Sequence, residues 1–230
     1  MIRQHTWLDK VICKSINDLY DYGEFEDGKK TGTPNREVKR NRELCDKGGG
    51  ANKLFMDAFR KDPWCTSLSI RHHTAPLFNE YDAVKDDKGH YNFHIDNAIM
   101  SGLRSDLVIL TAINDQSEYE GGDLTVRVGN INVSMRLSMG QSVVFDPNLW
   151  HTVSPVTKGK RRMSVVWAEA LIQDAWMREL YYDYIDITAR CVNSIDEKTW
   201  YEQGNEMDPA TYLGAFRQKI LRQYSKPLHK

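Results

Sequence analysis

His94 and Asp96 stand one residue apart in Tyr91-Asn92-Phe93-His94-Ile95-Asp96-Asn97, and His151 closes the segment Val143-Val144-Phe145-Asp146-Pro147-Asn148-Leu149-Trp150-His151. In an extended strand the side chains alternate between faces, so His94 and Asp96 project side by side with Asn92, while Phe93 and Ile95 share the opposite face, which is expected to pack. A hydrophobic strand followed by a proline turn would deliver His151 to a rim or cavity wall opposite them. Two imidazoles and one carboxylate occupy one face of an octahedral metal and leave its other positions open, the arrangement that non-haem iron(II) chemistry requires. His-x-Asp alone is a weak pattern, and a polar strand without metal is the bland alternative. His5, His72, His73, His90 and His229 lack a comparable pattern and read as surface or structural, His90 being nearest in sequence.

A second feature follows in Lys158-Gly159-Lys160-Arg161-Arg162-Met163-Ser164-Val165-Val166-Trp167. A planar guanidinium inside a cavity can pair bidentately with the distal carboxylate of a dicarboxylic acid. Arg161 shares strand parity with Met163, Val165 and Trp167, bulky residues suited to an interior, and Arg162 with Ser164, Val166 and Ala168. Parity therefore favours Arg161 over Arg162, against the alternative that both belong to a solvated basic turn.

These residues need a scaffold, and the chain between about Ser67 and Ala170 supplies one. Short β-branched runs there are broken by Gly, Asn, Asp and Pro at intervals of roughly 8–12 residues, which predicts an antiparallel sandwich or barrel. Its clearest part is a hairpin, Asp123–Val128 and Ile131–Leu137 joined by Gly129-Asn130. Further strands are expected at Asp106–Ile113, Ser142–Phe145 and Arg161–Ala170. Helical spacing marks residues 7–22 and the stretch from Leu171 to Ile185, and a last helix is expected over Pro209–Tyr224, after the loop signal Gln203-Gly204-Asn205. The polar tract Gly23–Gly50 reads as loop with a helix around Arg36–Leu44, and as a mobile cover. The expected organisation is one structural unit: N-terminal helices and polar loop at 1–66, a β core at 67–170, and a helical extension at 171–230.

The whole chain narrows the classes further. With 230 residues it suits one sizeable core, and 31 basic against 32 acidic residues give no global field for gathering nucleic acid or an anionic membrane. Cys13, Cys45, Cys65 and Cys191 have no CxxC spacing, so free thiols in a reducing cytoplasm are expected. No stretch approaches the roughly 20 apolar residues of a membrane span, and the N-terminus lacks a signal-peptide pattern.

The residues resemble the Fe(II)/2-oxoglutarate dioxygenases, specifically the prolyl-4-hydroxylase-like PKHD-type hydroxylases. The similarity covers roughly residues 20–180 and rests on VKRN, PLFNEY, HYNFHIDNA, RSDL, EYEGGDL and FDPNLWHTVSPVTKGKRR running to VVWAEALIQD, in matching order. It implies a mainly β fold with flanking helices around a double-stranded β-helix, jelly-roll or cupin-like core. It also implies His94, Asp96 and His151 as iron ligands and Arg161 as the 2-oxoglutarate-binding arginine. Tyr81 matches a tyrosine near the cosubstrate, with a core tyrosine an equally good reading. Gly121-Gly122 matches a glycine pair read as backbone geometry.

The implied activity consumes iron-bound 2-oxoglutarate and dioxygen, with ascorbate as an accessory, and releases succinate and carbon dioxide while hydroxylating a substrate C–H. A prolyl or other residue of a peptide or protein is the implied substrate, and a free amino acid or small metabolite is the runner-up. A non-catalytic metal-binding jelly-roll module is the alternative of another class. No membrane partner is expected, and the charge balance speaks against nucleic acid. The loop Asp82–Gly89 looks longer than the family's glycine turn and, with the Gly23–Gly50 tract, is a candidate cover. Leu110 stands where a small hydroxyl residue is common, and the chain beyond Arg190 does not match the family C-terminus well.

Overall fold

The computed structural model describes residues 1–31, 39–202 and 207–225. In chain order the elements begin with β1 (Ile2–Thr6), α1 (Lys10–Tyr22), β2 (Phe25–Asp27), β3 (Lys39–Arg40), β4 (Arg42–Leu44), α2 (Gly50–Phe59) and α3 (Pro63–Ser67). The strand-rich middle follows as β5 (Ile70–His73), β6 (Leu77–Asp82), β7 (His90–His94), β8 (Ile99–Met100), β9 (Leu103–Arg104), β10 (Leu107–Ala112) and β11 (Tyr119–Gly121). It continues with β12 (Leu124–Val128), β13 (Ile131–Met135), β14 (Gln141–Phe145), β15 (His151–Val153) and β16 (Val156–Ala170). Three helices close the described chain: α4 (Ala175–Cys191), α5 (Glu197–Glu202) and α6 (Pro209–Tyr224).

Two compact units emerge, residues 1–66 with 72–169, and residues 67–71 with 170–230. In the first, a large sheet runs β1-β14-β10-β16-β6-β4-β2 and a smaller one β13-β12-β15-β7-β3. The inward residues of both sheets make one core: Val108, Leu110, Val143, Phe145 and Met163 from the large sheet meet Leu124 and Val126 from the small one. Each such side chain, removed from water, stabilises the fold by roughly 1.5–3 kcal/mol. This two-sheet arrangement is the expected double-stranded β-helix. On the outer face of the large sheet, Tyr20 of α1 and Phe55 of α2 meet Phe78 edge-on at 6.3 and 6.0 Å. The Tyr20 hydroxyl donates to the carbonyls of Asn79 and Met163 at 3.1 and 2.9 Å, anchoring α1 across β6 and β16. Asp9 caps α1 by accepting from the Val11 amide at 2.6 Å.

The second unit is held by polar contacts as much as by packing. Tyr182 donates to the Leu68 carbonyl at 2.7 Å, and the Tyr181 hydroxyl receives the Arg217 guanidinium at 2.7 Å. Asp174 and Asp208 cap α4 and α6. Among the described residues no helix is long and apolar enough to cross a membrane.

Most expected elements are present, including the β12–β13 hairpin, whose turn uses Gly129 at φ 62°. Three expectations change. The helix around Arg36–Leu44 is replaced, over its described part, by β3 and β4, while residues 36–38 lie outside the described residues. β3 pairs with β7 of the small sheet and β4 with β6 of the large one, so ladder hydrogen bonds override the local helical pattern. The Gly23–Gly50 tract is thus tied, where described, into both sheets. Third, β1 pairs along β14 as an added strand, in a region that carries no strand signal of its own. The loop signal at 203–205 and His229 lie outside the described residues.

Candidate metal centre

His94 is the last residue of β7 and His151 the first of β15, and the antiparallel register sets them directly opposite each other. Their rings lie 4.1 Å apart between centroids. Two residues beyond His94, the Asp96 amide donates to the Pro147 carbonyl at 3.2 Å, which folds the Asp-Pro turn before His151 against the segment after β7. The two imidazole nitrogens and a carboxylate oxygen of Asp96 fall within 4.8 Å of one another, the one such group of His, Cys, Asp and Glu among the described residues. Asp96 Oδ1 is 3.6 Å from the Nε2 of each histidine.

The tautomers are set by the backbone. His94 Nδ1 donates to the Asn92 carbonyl at 2.7 Å and His151 Nδ1 to the Leu149 carbonyl at 2.8 Å, which turns both Nε2 lone pairs toward Asp96. Burial, reinforced by the neighbouring His151, lowers the His94 pKa to about 3, so the imidazole is neutral and ready to bind a cation. Tyr91 stacks on His94 at 3.5 Å and fixes its plane. The second Asp96 oxygen accepts from the Trp167 indole at 2.8 Å, leaving Oδ1 for the shared centre. Two neutral nitrogens and one oriented carboxylate, all on one side, suit an iron(II) that keeps open positions.

A cavity of about 60 Å³ extends from this centre between the sheets, lined chiefly by apolar side chains together with Asn79, Tyr81, Lys39 and Arg161. Arg161 is 3% exposed, lies level with Tyr81 across the β6–β16 ladder, and sets its guanidinium 5.3 Å from the Tyr81 ring centre. Burial raises the pKa of the Tyr119 phenol and the charge of Arg161 draws it back, which places the two side chains near each other. Among the described residues no carboxylate pairs with it. Arg162 points to the other face, where it bonds Glu80 at 2.8 Å, Asp21, and Asn17 Oδ1 at 3.2 Å. The strand parity that separates the two arginines is the one expected. A buried cation without a counter-charge is costly unless an anion joins it, so the cavity fits a dicarboxylic acid whose far end meets Arg161. Burial pushes the Tyr81 phenol well above its ordinary value, so it remains a neutral hydrogen-bonding group.

Gly122 serves this arrangement. Its φ is 67°, and a Cβ there would lie 2.8 Å from Arg161 Cδ. The glycine pair is therefore backbone geometry at Gly121 and, at Gly122, also room for the arginine.

Other expectations fall differently. Phe93 and Ile95 do not pack on a covered face: they are 37% and 42% exposed, and the Arg127 guanidinium lies 4.7 Å from the Phe93 ring centre. Strict alternation also fails here: the register of β7 against β15 shifts between His94 and Tyr91, so Tyr91 lines the cavity beside His94, while Asn92, expected on that face, is exposed. His90 bonds the Lys88 carbonyl at 2.9 Å and does not join the centre. Asp82–Gly89 folds on itself, with Asp82 Oδ1 accepting from the amides of Val84 and Lys85 at 2.8 and 3.0 Å, and Lys85, Asp86 and Asp87 line a separate recess. Sequence reasoning overlooked Asn79, Lys39, Tyr91, Tyr119 and the orienting role of Trp167. Parity with Tyr81 points to Asn79; Lys39 gives no signal, because it lies in a tract that reads as loop.

Residues 76–169 match the family described as the 2OG-Fe(II) oxygenase superfamily. A PKHD-type hydroxylase of Idiomarina loihiensis is 30% identical over 179 residues, 76% of this chain and 80% of the relative. Another, of a Picosynechococcus species, is 33% identical over 198 residues, 84% of this chain and 88% of the relative. Among solved structures, a Trichoplax adhaerens prolyl hydroxylase in complex with a hypoxia inducible factor oxygen degradation domain peptide fragment aligns with a TM-score of 0.57 at 18% identity, covering 73% of this chain and 82% of that one. HygX from Streptomyces hygroscopicus, solved with nickel and 2-oxoglutarate bound, aligns with a TM-score of 0.55 at 11% identity, over 74% of this chain and 82% of that one. At these identities the structural matches speak to the fold.

Proposed function

Since the chain belongs to the PKHD-type hydroxylases of the 2OG-Fe(II) oxygenase superfamily and is a 2-oxoglutarate-dependent dioxygenase, we propose that it hydroxylates an unactivated C–H of a prolyl or other residue in a peptide or protein. Iron(II), with 2-oxoglutarate and dioxygen, supplies the oxidation when bound, releasing succinate and carbon dioxide. His94, Asp96 and His151 hold the metal in this reading. Arg161 holds the distal carboxylate, with the Tyr119 and Tyr81 hydroxyls beside it. Trp167 and the Asn92 and Leu149 carbonyls orient the ligands, and the apolar walls around Val108, Leu124 and Phe145 exclude water. No side-chain base is required by this chemistry. Ascorbate is an accessory in this scheme and a cytoplasmic setting part of it, in keeping with the free Cys13, Cys45, Cys65 and Cys191.

The observation that carries the reading is the buried Arg161, which has no carboxylate partner among the described residues, in the same cavity as the converging side chains of His94, Asp96 and His151. A peptide-length substrate is supported by the residues flanking those ligands along the chain. Ile95 and Trp150 are 42% and 49% exposed, and Ile99 is exposed as well, an apolar border able to hold an extended chain. The Trichoplax neighbour was solved with a peptide, which supports the same substrate class.

The test begins without oxygen: Fe(II) and 2-oxoglutarate should produce a visible charge-transfer band that Asp96→Ala abolishes. Proline-containing peptides should then stimulate succinate release and gain one oxygen in mass. Stimulation by free amino acids but by no peptide would transfer the assignment to a small metabolite, and no band in the intact protein would end the proposal.

A further inference from the structure

Asn79 is a buried polar side chain to which nothing above gives a role. It is 4% exposed and lines the cavity, and its Oδ1 is buried with no hydrogen-bond partner among the described residues. Such a group costs roughly 1–3 kcal/mol when left unsatisfied, so its presence among apolar walls needs a compensating contact. Its surroundings say where that contact lies. Tyr81, Asn79 and Leu77 share one face of β6, opposite Arg161, Met163 and Val165 of β16. Trp167, which grips Asp96, follows at the next inward position of β16. Passing from Tyr81 to Asn79 is one pleat repeat, about 6.5 Å, away from the guanidinium level and toward the metal end. That step is close to the length of a five-carbon diacid measured from its far carboxylate to its keto-acid end.

Resting on the reading above, we propose that Asn79 is a cosubstrate-positioning residue that hydrogen-bonds the 2-oxo acid end of 2-oxoglutarate while Arg161 holds the other carboxylate. A half-turn about χ2 exchanges the amide's oxygen and nitrogen, so the side chain that now presents an unpaired oxygen can present N–H to a carboxylate. The cavity then grips its diacid at both ends: a guanidinium at one, an uncharged amide at the metal-chelating end. A neutral donor suits that end, because a second fixed cation there would compete with the metal for the same oxygens.

Wild-type protein loaded with Fe(II) under nitrogen is titrated with 2-oxoglutarate, following the charge-transfer band, and with N-oxalylglycine by calorimetry. Asn79→Leu, of similar size, should weaken both ligands by about 10- to 100-fold, the loss of one hydrogen bond to a charged group. Fe(II) affinity without cosubstrate should not move with it, and the unfolding midpoint of the cosubstrate-free protein should not fall, because a buried unpaired oxygen is removed. Combined with Arg161→Leu, the two losses should multiply within about threefold, as for groups that hold opposite ends. Should Asn79→Leu not fold, Asn79→Thr carries the same comparison. Unchanged ligand affinity in a wild-type background that binds normally overturns the inference alone. A loss that vanishes once Arg161 is removed also overturns it, making Asn79 a prop for the arginine. A wild-type protein that takes up neither ligand defeats the underlying reading of the cavity instead.

Discussion

Replacing Trp167 with phenylalanine deletes one atom group that matters and keeps most of the bulk. The indole donates to Asp96 Oδ2 at 2.8 Å, while Oδ1 stands 3.6 Å from both histidine Nε2 atoms. With the donor gone, the carboxylate can rotate, and Oδ1 no longer waits in the position that closes the ligand triangle. A hydrogen bond to a charged group contributes about 1.5–3 kcal/mol. At 1.4 kcal/mol per tenfold, that corresponds to roughly 10- to 150-fold in an equilibrium constant, close to the 10- to 100-fold expected when an orienting partner of a metal ligand is removed. The Asp96 side chain is 12% exposed, so water can replace part of the lost bond, and the low end, about tenfold, is the expected weakening. Competitive titration of Fe(II) under nitrogen, or of Co(II) in air, measures it, with thermal unfolding of the metal-free protein as control. Metal affinity within about threefold of wild type would show that the indole does not orient the carboxylate, and the second-sphere reasoning would have to be abandoned.

The two neighbouring arginines should separate cleanly. Arg162→Leu strips a partner from Glu80, which is 1% exposed, and should destabilise the fold by about 3 kcal/mol in denaturant titrations, because Arg42 also bonds Glu80, while each folded molecule binds 2-oxoglutarate as before. Arg161→Leu should do the reverse, costing at least about 100-fold in cosubstrate affinity with no loss in the denaturation midpoint, since a buried unpaired charge is removed. Gly122→Ala puts a Cβ 2.8 Å from Arg161 Cδ at φ 67°, and calorimetry should find 2-oxoglutarate weakened about tenfold with metal binding retained. Because the folded protein holds His94 near pKa 3, well below the ordinary value of about 6.5, the unfolded chain binds the extra proton between those values. Stability of the metal-free protein should therefore fall as pH drops below about 6.5, and a flat profile down to pH 4 for a His94→Gln-corrected difference would contradict the assigned burial.

Much of this site was legible in the sequence because strand geometry is a parity rule. His94 with Asp96, and Arg161 with Trp167, share faces through a period of two, and any strand assignment that is right predicts those pairs. His151 was harder, since its place depends on the register of β15 against β7, yet the Asp-Pro turn before it marked where a strand could restart. The helix around Arg36–Leu44 failed for the opposite reason. β3 and β4 are two and three residues long, too short for any period to show, and exist only because β7 and β6 offer them ladder partners. Lys39 was invisible with them, although its ammonium bonds Glu43 at 2.8 Å and lies 5.6 Å from the Tyr91 ring that stacks on His94. Alternation likewise misplaces Asn92, because the register shift within β7 turns Tyr91 into the cavity beside His94 and leaves Asn92 and Phe93 exposed, and such an irregularity carries no periodic signal.

One strand explains why the site and the fold tolerate each other. β16 carries a guanidinium toward each of its faces at consecutive positions, and the consequences are opposite. Outward, Arg162 is neutralised by Glu80 and Asp21 and helps fasten α1 to the sheet. Inward, no carboxylate among the described residues pairs with Arg161, and six residues further along the same face Trp167 bonds Asp96. A rigid central strand of a sheet therefore sets the spacing between the proposed cosubstrate anchor and the proposed metal centre to a fixed number of pleats, independent of the loops. Loops could then vary to choose substrates while the two anchor points keep their separation. It also follows that a single inserted residue in β16 between Arg162 and Trp167 would exchange the two arginines' faces relative to Trp167, burying the paired one in the cavity and turning the lone cation toward Glu80. Such an insertion should abolish cosubstrate binding even where the sheet still forms.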